Sequence, residues 1–253
     1  MSPRSPDFDL GADAYRRRIR VRALEPGLVV SELEDDFHHF EVELRHDGEH
    51  VLSCENTSHR WPWATCPDAA VPLRKLAGMP LARRFTAAGA WTDPKANCTH
   101  QFDTACHAMT HAASGRDERV YDVEVPLRDH DTGKTTVRLW VDGEPRLTWG
   151  LDWNGIVDPQ PPFDAARWRG GFMRWADTNL PEDDAECAIV LRRASDIGMG
   201  RGMDLDGVPV ADQLPPTMAG ICHTMQQDVV HVAFRHIGSI RDFATHPDRL
   251  LTD

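Results

Sequence analysis

The first sixty residues alternate apolar and polar side chains in the way that is typical of half-buried strands. Residues 15–36 alternate apolar side chains with arginines and turn at Pro26-Gly27 into a second apolar run. Residues 38–56 alternate again, and Asp47-Gly48 within them is typical of a tight hairpin turn. The pattern predicts an antiparallel meander of three or four strands.

Two stretches after the meander have helical spacing. Residues 66–77 carry a proline near the first helical position and end before Gly78, which predicts one helix. Residues 99–114 repeat apolar side chains at helical intervals and end before a glycine, and either Asn97 or Thr99 suits the N-cap. The strand pattern thus gives way to helices in the middle of the chain.

Beyond residue 118 the pattern returns to that of strands. Residues 118–129 alternate cleanly, and residues 135–153 predict a hairpin about Asp142-Gly143. Every second residue from Leu147 to Trp153 is leucine or tryptophan, a stripe that suits either sheet packing or the wall of an apolar pocket.

The last third of the chain is predicted to hold a strand, a loop and a helix. Residues 185–195 have the composition of a buried strand, and residues 196–217 are rich in glycine, proline and aspartate, which indicates a long loop or lid. Residues 218–237 have the pattern of a C-terminal helix.

These elements together predict an α+β fold. We expect a flexible tail over residues 1–14, an antiparallel sheet with packed helices over residues 15–117, and a β-rich region with a C-terminal helix over residues 118–253. The two larger regions are predicted to form one integrated domain.

Composition narrows the class of partner. The 253 residues suffice for a sizeable core, and the net charge of −12 argues against nucleic acid or an anionic membrane as the main partner. No apolar run approaches the length of about 18 residues that a membrane span requires. We therefore expect a cytoplasmic protein that acts on a small molecule, with a homo-oligomer as one option, and whose six cysteines are thiols or metal ligands.

Cysteine and histidine residues at the predicted element boundaries indicate a metal site. Cys66 and Cys98 stand at predicted helix starts, where the helix dipole favours the thiolate that zinc and iron bind. A histidine of the strand boundary, His38 or His39, could complete the site with His100. The structural alternative is a pair of core cysteines beside capping polar residues.

Other reactive residues have less distinctive surroundings. Asp36 and Asp103 flank the predicted ligands and are the best candidates for moving protons. Cys66 or Cys98 could instead act as a nucleophile with His100 as its base. The remaining cysteines fall within apolar patterns and are expected to be core thiols, and His107 with His111 lacks the glutamate of a zinc-protease motif.

Three of these stretches resemble a bacterial family catalogued as a domain of unknown function, number 2889. The similar segments are Asp35 to His38, Pro62 to Ala69 with the later Leu76 and Gly78, and Cys98 to Asp103. Gln101 replaces an apolar residue of that pattern. The resemblance covers about the first 120 residues and implies no established activity.

The layout is also similar, more distantly, to the iron–sulfur assembly scaffold fold. In that fold a strand loop and two cysteines before helices bind zinc or a cluster, which corresponds here to the Asp36–His38 turn, Cys66 and Cys98. The strand-loop cysteine is absent here, and His100 follows its cysteine by two residues instead of preceding it. The resemblance therefore implies a mononuclear metal rather than a cluster.

The combined prediction is a metal-dependent enzyme of the hydrolase or lyase type that acts on a small, partly hydrophobic, carbonyl-containing substrate. Its predicted cofactor is a mononuclear zinc or iron ion, with Asp36 and Asp103 as proton carriers. The predicted ligands are His38, Cys66, Cys98 and His100. The alternatives are a non-catalytic metal or iron–sulfur carrier and a metal-free enzyme with a cysteine nucleophile.

Overall fold

A computed structural model describes residues 6–252 and has the α+β fold that the sequence predicts. Its seven-stranded antiparallel sheet has the strand order β4-β3-β2-β1-β5-β6-β7. The strands are β1 (Ala14–Glu25), β2 (Leu28–Asp35), β3 (His39–His46), β4 (Val51–Arg60), β5 (Glu118–Pro126), β6 (Thr135–Val141) and β7 (Glu144–Leu151). The α-helices of the described residues are α1 (Thr99–Ser114), α2 (Phe172–Asn179) and α3 (Glu182–Ile197).

The chain divides into two compact units that do not follow the predicted boundaries. One unit comprises the residues up to Arg18, Val120–Met203 and the residues from Asp242 onward; the other comprises Ile19–Arg119 and Asp204–Arg241. The structure thus separates residues 204–241 from the region 118–253 to which the sequence assigned them. That segment shares an apolar cluster with Cys66 and Cys98 through four buried side chains: Ala211, Leu214, Met225 and Ala233.

In the unit that contains Ile19–Arg119, the predicted meander is confirmed. Strand β2 pairs with β3, and β3 with β4, both antiparallel, and Leu33 faces Phe40 next to the β2–β3 turn. Helix α1 packs against β2 and β3, and every residue from His100 to His111 is buried. Because these twelve consecutive residues are buried, α1 brings polar side chains into the core along with the apolar ones.

The two predicted helices of this unit fold differently. Helix α1 is confirmed and ends at Gly115, whose left-handed φ of 66° suits glycine; its N-cap is Cys98. Residues Pro67–Leu76 instead form 3-10 turns with Pro72 inside them. An internal proline has no N–H to continue an α-helical ladder, which accounts for the tighter turns.

The other unit contains the predicted hairpin and one element that the sequence assigned wrongly. Strands β6 and β7 turn at Asp142 and Gly143, both with positive φ. Residues 185–195, predicted as a strand, lie within α3, whose first turn carries three acidic residues after Pro181. A short buried apolar run suits either element, and the acidic first turn is the signal that favours a helix.

The Leu/Trp stripe of β7 takes part in aromatic packing. Trp149 makes edge contacts with Phe163, Trp168 and Phe172, at centroid distances of 5.1, 5.8 and 6.0 Å. Trp153, just beyond the strand, is half exposed. The rings of Trp149 and its neighbours therefore pack against one another.

The predicted tail is described only from residue 6 onward, and the predicted C-terminal helix differs from the structure. Residues 1–5 of the tail lie outside the described residues, but Phe8 packs edge-on against Trp140 at 5.1 Å. Residues 218–237 contain only short 3-10 turns, at His223–Met225 and Val230–Val232, so the predicted C-terminal helix is wrong. None of the helices within residues 6–252 has the length and apolarity that crossing a bilayer requires.

Candidate metal centre

The turn between β2 and β3 is organised by one buried carboxylate. Oδ1 of Asp35 accepts hydrogen bonds from the N–H groups of Phe37 and His38, each at 2.8 Å, and the N–H of Asp35 donates to the carbonyl of His38 at 2.9 Å. An aspartate that accepts from the second and third residues after it closes a turn by local bonding alone. The chain folds back tightly here, which places the His38 side chain beside the Asp35 carboxylate.

Two imidazoles meet at this carboxylate. Nδ1 of His38 lies 3.0 Å from Oδ1 of Asp35, and Nε2 of His100 lies 3.6 Å from Oδ2. The two rings stack with their centroids 3.6 Å apart and their planes inclined by 24°. His100 reaches this position because it lies in the first turn of α1, the helix that packs on β2 and β3.

The contact between His38 and Asp35 can serve the site in two ways. Nδ1 of His38 and Oδ1 of Asp35 lie 3.0 Å apart, so these two atoms either share a proton or both bind the same cation. A carboxylate that holds the distal N–H of a histidine is the usual support of an imidazole ligand, since it orients the ring and raises its basicity.

Asp35, His38 and His100 fit a divalent transition metal. Each offers one ligand atom, these atoms lie within 4.8 Å of one another, and all three residues are buried. Two atoms bound to one zinc ion stand about 3.4 Å apart, so a movement of roughly 1 Å would close the set. Two imidazoles and one carboxylate are a donor set that both zinc and ferrous iron accept.

Of the two predicted thiol ligands, Cys98 lies beside these residues and Cys66 lies further away, next to Thr224. Sγ of Cys98 is 4.0 Å from Nδ1 of His100, whereas Sγ of Cys66 contacts the Thr224 hydroxyl at 3.7 Å. Both cysteines belong to an apolar cluster with Phe40 and Trp63. The structure therefore places Cys98 beside the imidazoles and Cys66 among apolar side chains.

Burial, rather than the helix dipole, sets the proton affinity of these thiols. Desolvation raises the pKa of Cys66 to about 12 and the pKa of Cys98 well above its usual value, although backbone N–H groups at Cys98 act in the opposite direction. The expectation that a position at a helix start would favour the thiolate overlooked this burial.

The two predicted proton carriers are both buried. The carbonyl of Asp36 accepts from the side chain of Arg60 at 3.0 Å and from the N–H of Arg241 at 2.8 Å, so the backbone of this residue is part of the turn. Asp103 lies on α1, three residues after His100. Proton transfer by either carboxylate stays a prediction.

Asp35 is a candidate ligand that the ligand prediction does not contain. In the sequence it is only the start of an Asp-x-x-His pattern, and its neighbour Asp36 is the residue with a predicted role. The spacing itself was the available signal, because an aspartate three residues before a histidine at a strand end can both close the turn and hold the imidazole.

Two further histidines lie outside this cluster. His107 packs edge-on against Phe85 at 4.9 Å, and His231 pairs with Asp212 at 3.1 Å on the surface. Over residues 6–252, the group of three potential ligand residues brought together is Asp35, His38 and His100. Comparison of the chain with profiles of protein families, with curated proteins and with solved structures found no match.

Proposed function

We propose that Asp35, His38 and His100 hold a mononuclear zinc or iron ion in a metal-dependent enzyme of the hydrolase or lyase type. The observation that carries the proposal is the buried cluster itself, in which a carboxylate and two imidazoles offer ligand atoms within 4.8 Å of one another. Buried polar side chains of this kind are costly to a fold unless they are paired or bind a cation.

Each residue of the cluster would have its own role at such a centre. A bound metal ion would polarise a substrate carbonyl or activate a water molecule. Asp35 would supply a carboxylate oxygen and His38 a ring nitrogen from the β2–β3 turn, and His100 would supply a ring nitrogen from α1. The thiol of Cys98 lies beside these residues, with its sulfur 4.0 Å from Nδ1 of His100. Asp36 and Asp103 remain the predicted proton carriers.

The burial of the cluster favours an enzyme over a metal carrier. The side chains of His38, His100 and Asp35 are 10, 6 and 0% exposed, so a metal bound there would be shielded from a protein partner. A carrier must pass its metal on and is better served by an exposed site. The enzyme is therefore preferred over the carrier as the function of this chain.

A metal-free cysteine nucleophile has less support. The nucleophile in such enzymes is the thiolate, and desolvation raises the pKa of Cys66 to about 12 and that of Cys98 well above its usual value. We expect iodoacetamide to alkylate both thiols of the metal-free folded protein far more slowly than those of the unfolded chain. Rapid alkylation of one of them at pH 7 would favour the nucleophile.

Metal analysis of three variants tests the proposed centre. We expect the purified protein to contain close to one equivalent of zinc or iron, and the metal-free protein to bind added Zn²⁺ in a calorimetric titration. His100→Ala should lower the affinity at least about 100-fold, because it removes a ligand. His107→Ala is the matched control, since it deletes a buried imidazole of the same helix outside the cluster.

Cys66→Ser separates the proposed ligand set from the one predicted by sequence. It should bind Zn²⁺ with nearly parental affinity, because Cys66 packs in the apolar cluster. If Cys66→Ser loses as much affinity as His100→Ala, the thiol belongs to the site; if the parent binds no metal, the centre itself is wrong. Hydrolysis of an activated ester by the metal-loaded protein, lost in His100→Ala, would support the enzyme class.

The small-molecule substrate and the cytoplasmic location also stay predictions. The six cysteines are thiols and not disulfides, which suits a reducing compartment.

A further inference from the structure

One arginine side chain fills the inside of the β2–β3 turn. Arg60 is the last residue of β4, and its side chain is only 10% exposed. Its Nη2 donates to the carbonyl of Asp35 at 2.6 Å and to the carbonyl of His38 at 3.2 Å, and its Nη1 donates to the carbonyl of Asp36 at 3.0 Å. Three carbonyls of a four-residue turn thus converge on one guanidinium.

The same guanidinium reaches two groups outside the turn. Nη2 also donates to Oε1 of Glu34 at 3.0 Å, and Nη1 donates to the carbonyl of Ser239 at 3.1 Å. Next to Ser239, the N–H of Arg241 donates to the carbonyl of Asp36 at 2.8 Å. The turn is therefore held by the side chain of Arg60 and by the backbone of a segment that lies more than 200 residues further along the chain.

These contacts suit arginine specifically. A buried carbonyl needs a donor, and a turn that points several carbonyls inward needs several donors close together. The planar guanidinium presents five N–H groups in a rigid fork, whereas a lysine ammonium is a compact point charge with three. The positive charge also offsets the carboxylate of Glu34, which lies next to Asp35 in the sequence.

Arg60 and the Asp35 carboxylate bond different groups of the turn. Arg60 binds backbone carbonyls and Glu34, while the Asp35 carboxylate receives the N–H groups of the turn and of the His38 ring. The guanidinium thus fixes the main chain that carries two of the three candidate ligand residues.

We propose that Arg60 is a positioning residue of the metal centre, whose guanidinium sets the geometry of Asp35 and His38 by bonding the carbonyls of their turn. This inference rests on the proposed metal centre. Because Arg60 acts through the backbone, its replacement alters the coordination geometry while all three ligand side chains remain.

Replacement of Arg60 by lysine tests the inference with a readout of geometry. Co²⁺ is substituted for the native metal, and its visible absorption spectrum reports the ligand arrangement. We expect Arg60→Lys to change the intensity and position of the Co²⁺ bands and to weaken Zn²⁺ binding about 10- to 100-fold, the range found for residues that orient ligands. Arg45→Lys, on the exposed end of the neighbouring strand, should leave both unchanged.

A second variant keeps the test decisive if Arg60→Lys does not fold. Glu34→Ala removes one of the five acceptors of Arg60 and leaves the ligands and the guanidinium in place. We expect a smaller change of the Co²⁺ spectrum in the same direction. If Arg60→Lys folds and keeps the parental Co²⁺ spectrum and Zn²⁺ affinity, the positioning role is overturned. If Arg60→Lys is unfolded, the same result in Glu34→Ala overturns it.

Amide hydrogen exchange separates failure of this inference from failure of the metal centre. The N–H groups of Phe37 and His38 are bonded to Asp35, and in the metal-free Arg60→Lys protein they should exchange at least about 10-fold faster than in the parent. A parent that binds no metal rejects the centre alone. Unchanged exchange of these two amides rejects the action of Arg60 on the turn, whatever the parent binds.

Discussion

Two turns of one meander share the pattern Asp-x-x-His and the same hydrogen bonds, yet only one of them carries the candidate site. In the β3–β4 turn, Oδ1 of Asp47 accepts from the N–H groups of Glu49 and His50 at 2.8 and 2.7 Å. The N–H of Asp47 donates to the carbonyl of His50 at 3.1 Å. Asp35 makes the equivalent bonds at the β2–β3 turn.

The surroundings of the two turns differ in every other respect. Residues 47–50 are all exposed, whereas residues 35–38 are all buried. The buried turn has Arg60 inside it and the ring of His100 stacked on His38. The pattern Asp-x-x-His therefore specifies a turn. The β2–β3 turn is a candidate metal centre because it is buried beneath α1 and because His100 adds a third potential ligand.

Removing the turn-closing aspartate should produce the largest difference between the two copies. In metal-free protein we expect Asp35→Ala to cost about 3 kcal/mol of unfolding free energy, because two buried N–H groups and the His38 ring lose their acceptor. Asp47→Ala should cost much less, since water replaces the lost acceptor. Urea denaturation at neutral pH measures both, and equal losses would show that burial does not distinguish the turns.

The histidines of the two patterns should differ in metal binding. We expect His38→Gln to weaken Zn²⁺ binding at least about 100-fold, as expected for loss of a ligand, and His50→Gln to leave it unchanged. Calorimetric titration of the metal-free proteins gives the two affinities. A similar loss in both variants would mean that the exposed turn also takes part in binding zinc.

The smallest effect concerns the pH dependence of the exposed turn. Backbone hydrogen bonds from His50 and Glu49 hold the pKa of Asp47 below its usual value. A lowered pKa in the folded state stabilises the fold above the ordinary pKa of aspartate, about 3.9, and this stabilisation is lost as the pH falls through the lowered value. Asp47→Asn should therefore be slightly less stable than the parent at pH 6, and the difference should shrink as the pH falls below the ordinary pKa of aspartate. A difference that persists at low pH would contradict this origin.

Local features of the fold could be predicted from the sequence. The strands of the meander follow from alternation, and α1 follows from helical spacing that ends before Gly115. The encounter of His38 with His100 was also expected, because a strand end and a helix start near the same sheet can converge. Each of these features depends on residues that are close in sequence or on one simple packing step.

The features that were missed depend on distant parts of the chain. Cys66, a predicted ligand, packs against apolar residues of the segment 204–241, whose sequence predicts a helix that does not form and gives no sign of this contact. Arg60 has the sequence context of any strand arginine. Its role follows from carbonyls of the 35–38 turn and from Ser239, contacts that no sequence pattern records.

The bond between Arg60 and Ser239 has a consequence for how the protein is made. A ribosome adds about 5 to 20 residues per second, so roughly 10 to 40 s pass between synthesis of Arg60 and synthesis of Arg241. During that interval the turn that bears Asp35 and His38 lacks the N–H of Arg241, and Arg60 lacks the carbonyl of Ser239. A metal ion taken up before then would meet an incomplete candidate site, and the site would be complete only once residues 239–241 had been synthesised.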